Sequence, residues 1–163
     1  MQIRTKNFKF KEERKEIVDC VRYMYSLLVP KSTYDKTIII VESHKFRKEQ
    51  YAAVAVPNKK NIHKYRILIN QSLNRKKRLV SIAHELVHIK QWELGELGGT
   101  ETYTIDGKLK KRTIWNDTKV VENDSHYYDW PWEIEAHGRE YGLYYRYKER
   151  SLQMRRASAA RKG

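Results

Sequence analysis

Two histidines stand four residues apart in the segment SIAHELVHIKQ at residues 81–91, and a glutamate directly follows the first. Residues four apart share one face of a helix, so His84 and His88 could bind one ion at the roughly 2.0–2.1 Å of zinc–nitrogen bonds. Glu85 would project about 100° away, which suits a carboxylate that takes a proton from a zinc-activated water without binding the metal. The spacing predicts a catalytic Zn²⁺ site of the HExxH type.

The residues around this motif must form a helix if the two imidazoles are to meet. The segment NRKKRLVSIAHELVHIKQWEL at residues 74–94 begins with Asn74, a favourable N-cap, and Gly95 follows its end. Apolar residues recur through it at helical spacing. A buried helix is therefore predicted, with its apolar side at Leu79, Ile82, Leu86 and Ile89.

A third metal ligand is expected from a second helix, which begins at Pro131 in the segment WPWEIEAHGREYGLYYRYKERSLQMRR. Cys20 is the one cysteine, so a cysteine-based zinc cluster is excluded. The candidate donors are Glu133, Glu135 and His137. Glu133 and His137 are four residues apart on one helical face, and direction alone does not separate them. Glu135 would point about 200° away from Glu133.

The remaining elements predict an α+β fold. Residues 11–29 have apolar side chains near a 3.6-residue period, which predicts an N-terminal helix that ends before Pro30. The runs KTIIIVES, YAAVAVP and KYRILIN predict a short three-stranded sheet with hairpin connections. Residues 101–121 alternate β-prone and basic residues around Asp106-Gly107, which favours a type I′ turn and predicts a basic β-ribbon.

Length and composition predict one domain over residues 1–163, in which the β-ribbon is an insertion at about 100–121 and the C-terminal tail is basic. The last seven residues, ASAARKG, are expected to fray. The first residues lack the apolar segment of a secretory signal, and no apolar run approaches the roughly 18 residues of a membrane span. A cytoplasmic protein without membrane contact is expected, in the host cytoplasm if the gene belongs to a phage.

The net charge of +14 predicts attraction to polyanions. Basic residues, interleaved with Tyr and Trp, concentrate on the ribbon and near the C-terminus. Non-specific contact with DNA or RNA is one interpretation, and a solvated surface is the other. The two clusters are Lys108, Lys110, Lys111, Arg112 and Lys119, and Arg146, Lys148, Arg150, Arg155 and Arg156.

The segments HELVHIKQ, GEL at residues 95–97 and PWEIEAHGRE together resemble the small gluzincin-like metallopeptidases of phages and bacteria. The resemblance covers roughly residues 65–145 and implies a minimal zincin fold, with KYRILIN as the edge strand that pairs with an extended substrate. Its E-x-x-A spacing selects Glu133 as the third ligand. Related patterns have Asp or Asn four residues after that glutamate, where this chain has His137.

A second resemblance, to the SprT-like proteases that act on DNA-attached proteins, rests on the shorter segment HGREY. It implies that His137 is the third ligand. The metzincin subclass is excluded, because Gln91 stands where its pattern requires Gly. Beside the cleft, His126, Tyr127 and Tyr128 could stabilise an oxyanion, or could simply pack against the final helix.

The sequence thus favours a zinc metallopeptidase that acts on a peptide or protein substrate, with His84, His88 and Glu133 as ligands and Glu85 as general base. A rival hypothesis is a basic nucleic-acid-binding or partner-binding module with a structural or vestigial zinc site. The rival leaves Glu85 without a role, and structural zinc sites usually have a fourth protein ligand. The sequence identifies neither the substrate nor the oligomeric state.

Overall fold

The computed structural model of the chain describes residues 1–46, 52–55, 62–122 and 126–161. Helices and strands are mixed along the chain, and the predicted α+β class is confirmed. The helices are α1 (Lys11–Ser26), α2 (Lys31–Lys36), α3 (Arg75–Glu93) and α4 (Pro131–Ala160). The strands are β1 (Gln2–Lys6), β2 (Ile38–His44), β3 (Ala52–Ala55), β4 (Lys64–Asn70), β5 (Leu97–Ile105), β6 (Lys108–Trp115) and β7 (Thr118–Val121).

The first sheet contains four strands in the order β1-β2-β4-β3, so the expected three-stranded sheet was wrong by one strand. The missed strand is β1, which pairs in parallel with β2, Gln2 opposite Ile38. Its sequence, QIRTK, alternates exposed and half-buried residues and contains a single large apolar side chain. A strand of this kind gives little hydrophobic pattern, and its parallel partner lies beyond two helices, so local sequence does not reveal the pairing.

The edge strands of this sheet are β1 and β3, so the edge position that the gluzincin resemblance implied for β4 was wrong. β4 lies inside the sheet, where it pairs in parallel with β2 and in antiparallel with β3. One of the two expected hairpin connections is therefore replaced by a parallel pairing. The ends of the predicted strand YAAVAVP lie outside the described residues.

The predicted N-terminal helix is confirmed as α1, which ends at Ser26, before Pro30. A short helix that was not predicted, α2, begins after Pro30, whose extended backbone forms its N-cap. The chain breaks between the two helices because proline has a fixed φ and imposes an extended conformation on the residue before it. α1 buries one apolar side against the rest of the core, consisting of Ile17, Cys20, Val21, Met24 and Tyr25.

Helix α3 lies at the centre of the molecule and is buried from Ile82 to Gln91 without interruption. The predicted cap is confirmed, because the Asn74 side chain accepts a hydrogen bond from the backbone N–H of Lys77 at 2.9 Å. Its end is also as predicted, with Gly95 at a φ of 74° that side-chain-bearing residues rarely adopt. Such a helix has an apolar side for the core and a polar side that α4 must cover.

The second sheet, β5-β6-β7, is the ribbon, defined here as residues 97–121. The predicted type I′ turn agrees with positive φ values at Asp106 and Gly107. A second turn of the same kind, at Asn116 and Asp117, adds the strand β7 that the sequence interpretation did not separate.

Helix α4 begins at Pro131 as predicted and continues to Ala160, so the expected fraying from residue 157 was wrong over its described part. The residues 157–160, ASAA, are good or acceptable helix formers and extend the helix without needing a tertiary contact. None of the helices in the described part of the chain combines the length and the apolar character that a membrane crossing requires.

Candidate metal centre

Helices α3 and α4 bring three donor side chains together. The Nε2 atoms of His84 and His88 are 3.1 Å apart. The Glu133 carboxylate faces both, with 3.3 Å from Oε2 to His84 Nε2 and 3.5 Å from Oε1 to His88 Nε2. All three residues are 6 to 9% exposed. The triad His84–His88–Glu133 therefore converges on one point beneath the protein surface.

The spacing of these atoms fits a zinc ion. Two ligands of a tetrahedral zinc at roughly 2.0–2.1 Å stand about 3.3 Å from each other. The three observed separations, 3.1, 3.3 and 3.5 Å, bracket this value. Two imidazoles and one carboxylate are also donors that suit zinc, whereas magnesium and calcium prefer oxygen alone. Among the described residues, His84, His88 and Glu133 form a group of three potential metal donors.

Each histidine of the triad is held by a hydrogen bond at its other ring nitrogen. His84 Nδ1 lies 2.9 Å from Oε2 of Glu140, and His88 Nδ1 lies 2.8 Å from Oε1 of Gln91. Because a carboxylate and an amide oxygen can only accept, each Nδ1 carries a proton, and in the neutral imidazole Nε2 keeps the lone pair. Both imidazoles thus present their metal-binding nitrogen to the same point.

Gln91 is itself fixed by α4. Its amide nitrogen donates to the backbone oxygen of Trp132 at 2.9 Å and to Oε2 of Glu135 at 3.1 Å. Glu135 also binds the Lys90 ammonium at 2.8 Å. Glu135 therefore faces away from the triad, as predicted, but it supports His88 through Gln91.

The triad is electrostatically matched to a cation. Burial opposes the charged form of His84, yet the Glu133 and Glu140 carboxylates outweigh it and raise the pKa of His84 to about 9. Burial likewise opposes ionisation of Glu133, but hydrogen bonds from His84 and His88 hold the pKa of this carboxyl well below its usual range. Without metal, His84 holds a proton that faces Glu133, at the place where the ion would bind. Binding of a metal ion would displace this proton.

Tyr127 adds a contact that orients the third ligand. Its hydroxyl donates to Oε2 of Glu133 at 2.5 Å. Burial, with the Glu133 carboxylate next, raises the pKa of Tyr127 far above that of a free phenol, so the hydroxyl stays protonated and remains a donor. This contact holds one oxygen of the Glu133 carboxylate. The expected role of Tyr127 in stabilising an oxyanion stays a prediction.

Glu85 lies beside the triad and is 6% exposed. Burial raises the pKa of its carboxyl, and the adjacent His88 and His84 offset part of this rise. A carboxylate with a raised pKa is a better proton acceptor at neutral pH. The motif therefore places a basic carboxylate next to the donor group without including it among the donors.

A cleft of about 660 Å³ opens onto these residues. His84 and Glu85 form part of its wall, together with Tyr127, Tyr128 and Ala52 of the edge strand β3. One side of the donor group is thus open to a molecule that enters the cleft. Such an opening distinguishes catalytic zinc sites from structural ones, whose ligands surround the metal.

His137 does not join the triad. Its ring is tilted against that of His84, with the ring centres 4.6 Å apart, and its Nδ1 lies 3.3 Å from Oε2 of Glu140. With His84 and Glu140 it forms a second group of donor atoms within 4.8 Å of one another. His126, the third residue predicted near the cleft, caps the turn at 127–129 and stacks on Tyr128 at 5.6 Å.

The sequence interpretation missed two residues that hold the ligands, Glu140 and Gln91. A signal for Glu140 was present, because it follows Glu133 by seven residues, two helical turns along the same face. Gln91 was considered only as a departure from the metzincin pattern. Its position three residues after His88, on the same face of α3, was the available signal.

The chain matches no family model, no curated protein and no solved structure among those with which it was compared.

Proposed function

We propose that the chain is a zinc-dependent metallopeptidase in which His84, His88 and Glu133 bind the metal and Glu85 is the general base. The observation that carries the proposal is the combination of three zinc-compatible donors with a buried carboxylate, at a place where His84 and Glu85 line one open cleft. A structural zinc site would need the donors but neither Glu85 nor the cleft. This combination favours the enzyme over the rival binding module.

In this reaction, Glu85 transfers a proton, and Glu140 and Gln91 orient the two histidines. Zinc, when bound, supplies Lewis acidity that polarises a peptide carbonyl and lowers the pKa of a coordinated water molecule. Glu85 would accept a proton from a water molecule as the water oxygen bonds to the carbonyl carbon, and would pass that proton to the amine as the C–N bond breaks, so one carboxylate acts first as base and then as acid. Glu140 and Gln91 keep both imidazoles in the tautomer that exposes Nε2.

The arrangement of the first sheet supports a minimal zincin fold. β3 is an edge strand, it runs antiparallel to β4, and Ala52 at its start lies in the cleft wall. A peptide that enters the cleft in an extended conformation can pair with the backbone of such a strand. In this proposal β3 takes the substrate-pairing role that the sequence assigned to KYRILIN, which is β4.

Glu133 is the preferred third ligand over His137, which the SprT-like resemblance selects. The Glu133 carboxylate lies within 3.5 Å of both Nε2 atoms. The ring of His137 instead lies 4.6 Å from the His84 ring, and its Nδ1 lies 3.3 Å from Oε2 of Glu140. Only Glu133 shares the point on which both histidines converge, so the gluzincin-like assignment has the stronger support.

The test combines metal analysis with one substitution. Protein purified without chelators is expected to contain close to one zinc per chain and to hydrolyse peptides. Glu85→Gln is expected to keep the zinc and abolish hydrolysis, because an amide fills the same space but cannot accept the proton. Glu12→Gln, on the exposed side of α1, is the matched control and should retain both properties. Full activity of Glu85→Gln, or a wild-type protein that takes up no added zinc, would refute the proposal.

A further inference from the structure

Four consecutive basic residues open helix α3, and the structure separates them into two pairs. Arg75 and Arg78 turn towards α1, where they form ion pairs with Glu16 and Glu13, respectively. Lys76 and Lys77 instead lie in the wall of the cleft that contains the metal centre. The two arginines therefore serve helix packing, whereas the lysines face the space that a ligand would enter.

Lys77 lies on the same side of α3 as His84 and His88, and the adjacent Lys76 also lines the cleft. Lys77, Ser81, His84 and His88 follow one another at intervals of four, three and four residues, the spacing of a single helical face. Seven residues separate Lys77 from His84, which corresponds to about 10 Å along the helix axis. An extended peptide covers this distance with about three residues.

The charge in this part of the cleft is cationic. Lys76 and Lys77 are exposed, and Lys76 also lies 5.7 Å above the ring of Tyr141, another residue of the wall. Among the described residues that line the cleft, the carboxylates are those of Glu85 and Glu140, at the metal centre at the other end. The cleft is thus polarised along its length, with the metal site at one end and two ammonium groups at the other.

The lysines are unfavourable for the helix in which they occur. The first turn of α3 contains no acidic residue, although the positive end of a helix dipole favours Asp or Glu there. The partial charges of the free N–H groups add to those of the two ammonium groups in attracting an anion. A sequence choice that opposes local stability and is located in a cleft is expected at a functional position.

From these observations we infer that Lys76 and Lys77 form a subsite for an acidic side chain of the peptide substrate, about three or four residues from the scissile bond. The inference rests on the proposed peptidase function and adds the substrate class. The ligand is a polypeptide with Asp or Glu at that distance, because the lysines share the cleft with the peptide-cleaving residues. Binding of the carboxylate also fixes which peptide bond lies over the metal centre.

The decisive experiment measures peptide binding to zinc-loaded Glu85→Gln protein, which cannot consume the probe. The probes are fluorescent eight-residue Ala-based peptides with Glu-Glu at one end, at the other end, or replaced by Gln-Gln. One Glu-Glu peptide is expected to bind more tightly than the Gln-Gln peptide, by about three- to tenfold for two exposed ion pairs. Lys76→Gln/Lys77→Gln should remove this difference, and added salt should reduce it.

Two further variants separate a specific subsite from net charge. Lys108→Gln/Lys148→Gln removes the same charge from exposed positions on the ribbon and on α4, and it should preserve the Glu-Glu preference. Lys76→Glu/Lys77→Glu should reverse the preference towards a Lys-Lys peptide. Acidic residues suit the first turn of a helix, so this variant is expected to fold at least as well as the parent.

The outcomes distinguish failure of the inference from failure of the proposed function. Cleavage by the wild-type protein with no difference between Glu-Glu and Gln-Gln peptides overturns the subsite and leaves the peptidase. Lysine-dependent binding of the Glu-Glu peptide without any cleavage overturns the peptidase and leaves an acidic-peptide site. If a single-stranded oligonucleotide binds in a Lys76- and Lys77-dependent way more tightly than either peptide, the assignment of a peptide ligand is wrong.

Discussion

The contact between α3 and α4 and the ribbon both depend on paired polar side chains, but the two regions differ in burial. At the helix contact, Lys90 has a side chain that is 9% exposed and binds both Glu96 and Glu135. On the ribbon, Arg112 and Lys119 approach Glu101, whose side chain is 48% exposed. Water and salt screen the second set and have little access to the first.

This difference shows where the molecule fixes its geometry. A buried polar group that loses its partner is left unsatisfied, so every member of the helix contact constrains the others. Arg112 and Lys119 lower the pKa of Glu101, yet that carboxylate can exchange them for water. The metal ligands are therefore built on the region where a side chain cannot move freely, and the ribbon is free to vary its contacts.

The largest effect that tests this comparison is expected from Glu133→Ala, which removes one of three ligands from the buried region. Zinc should be lost or held very weakly, because the remaining two histidines no longer define a complete site. The loss should exceed the roughly 10- to 100-fold that removal of an outer hydrogen-bond partner costs. Zinc titration against a competing chelator measures it.

His137→Ala and Glu135→Ala are the matched controls on the same helix. His137 contacts His84 and Glu140 but not the point on which the triad converges. Glu135 is linked to the triad through Gln91, which holds His88. Both variants should retain zinc more tightly than Glu133→Ala. The assignment of the third ligand would be reversed if His137→Ala showed the greatest loss.

The sequence predicted the three donor residues that the structure brings together, but it did not predict the residues that hold them, for a physical reason. His84, Glu85 and His88 lie within one turn and a half of a single helix, where spacing alone determines direction. The helix itself was predicted by its N-cap at Asn74 and its apolar period. Glu140 is separated from His84 by 56 residues, and its contact depends on how α4 packs against α3.

The strand order could not be predicted either, because it also depends on contacts between residues far apart in the sequence. The runs that form β2 and β4 are strongly apolar, and both were identified as strands. Their parallel pairing and the addition of β1 at one edge depend on crossover connections that no local pattern encodes, whereas the antiparallel pairing of β3 with β4 was expected. The turns of the ribbon could be predicted, because Asp-Gly at 106–107 specifies its own geometry.

A smaller effect is expected from Glu140→Ala, which removes the partner of His84 Nδ1 and leaves all three ligands in place. Affinity for zinc should fall by about 10- to 100-fold. Glu140→Gln should recover part of the loss, since the amide oxygen still accepts a hydrogen bond. Glu149→Ala, at an exposed position further along α4, is the control and should bind zinc normally.

An unchanged zinc affinity in Glu140→Ala would mean that burial alone orients His84. The contact between α3 and α4 would then fix the positions of its side chains no more strongly than the ribbon does. A loss as large as that of Glu133→Ala would instead place Glu140 among the ligands, with His137 and His84 in the second donor group.

The smallest effect on the metal centre is expected when the four basic residues Lys108, Lys110, Lys111 and Arg112 of the ribbon are replaced by Gln. Zinc affinity and peptide binding should remain unchanged, because Lys108 and Lys111 are exposed, and the contacts of Arg112 within the described part of the chain are with exposed Glu101 and the ring of Tyr103. If the ribbon contacts nucleic acid, the wild-type protein should bind DNA with little sequence preference and lose affinity steeply with salt. Each phosphate contact removed should flatten the slope of log K against log salt by about 0.9.

Arg112 makes this slope informative, because its guanidinium is already engaged by Glu101 at 2.8 Å. A phosphate would have to displace that carboxylate, so Arg112→Gln alone should change the slope less than Lys108→Gln alone. Equal changes would mean that the Glu101 pair opens without cost in the complex, as expected for a screened surface contact. Absence of DNA binding at low salt would leave the ribbon as a solvated surface, and a loss of zinc in the quadruple variant would show that the two regions are coupled after all.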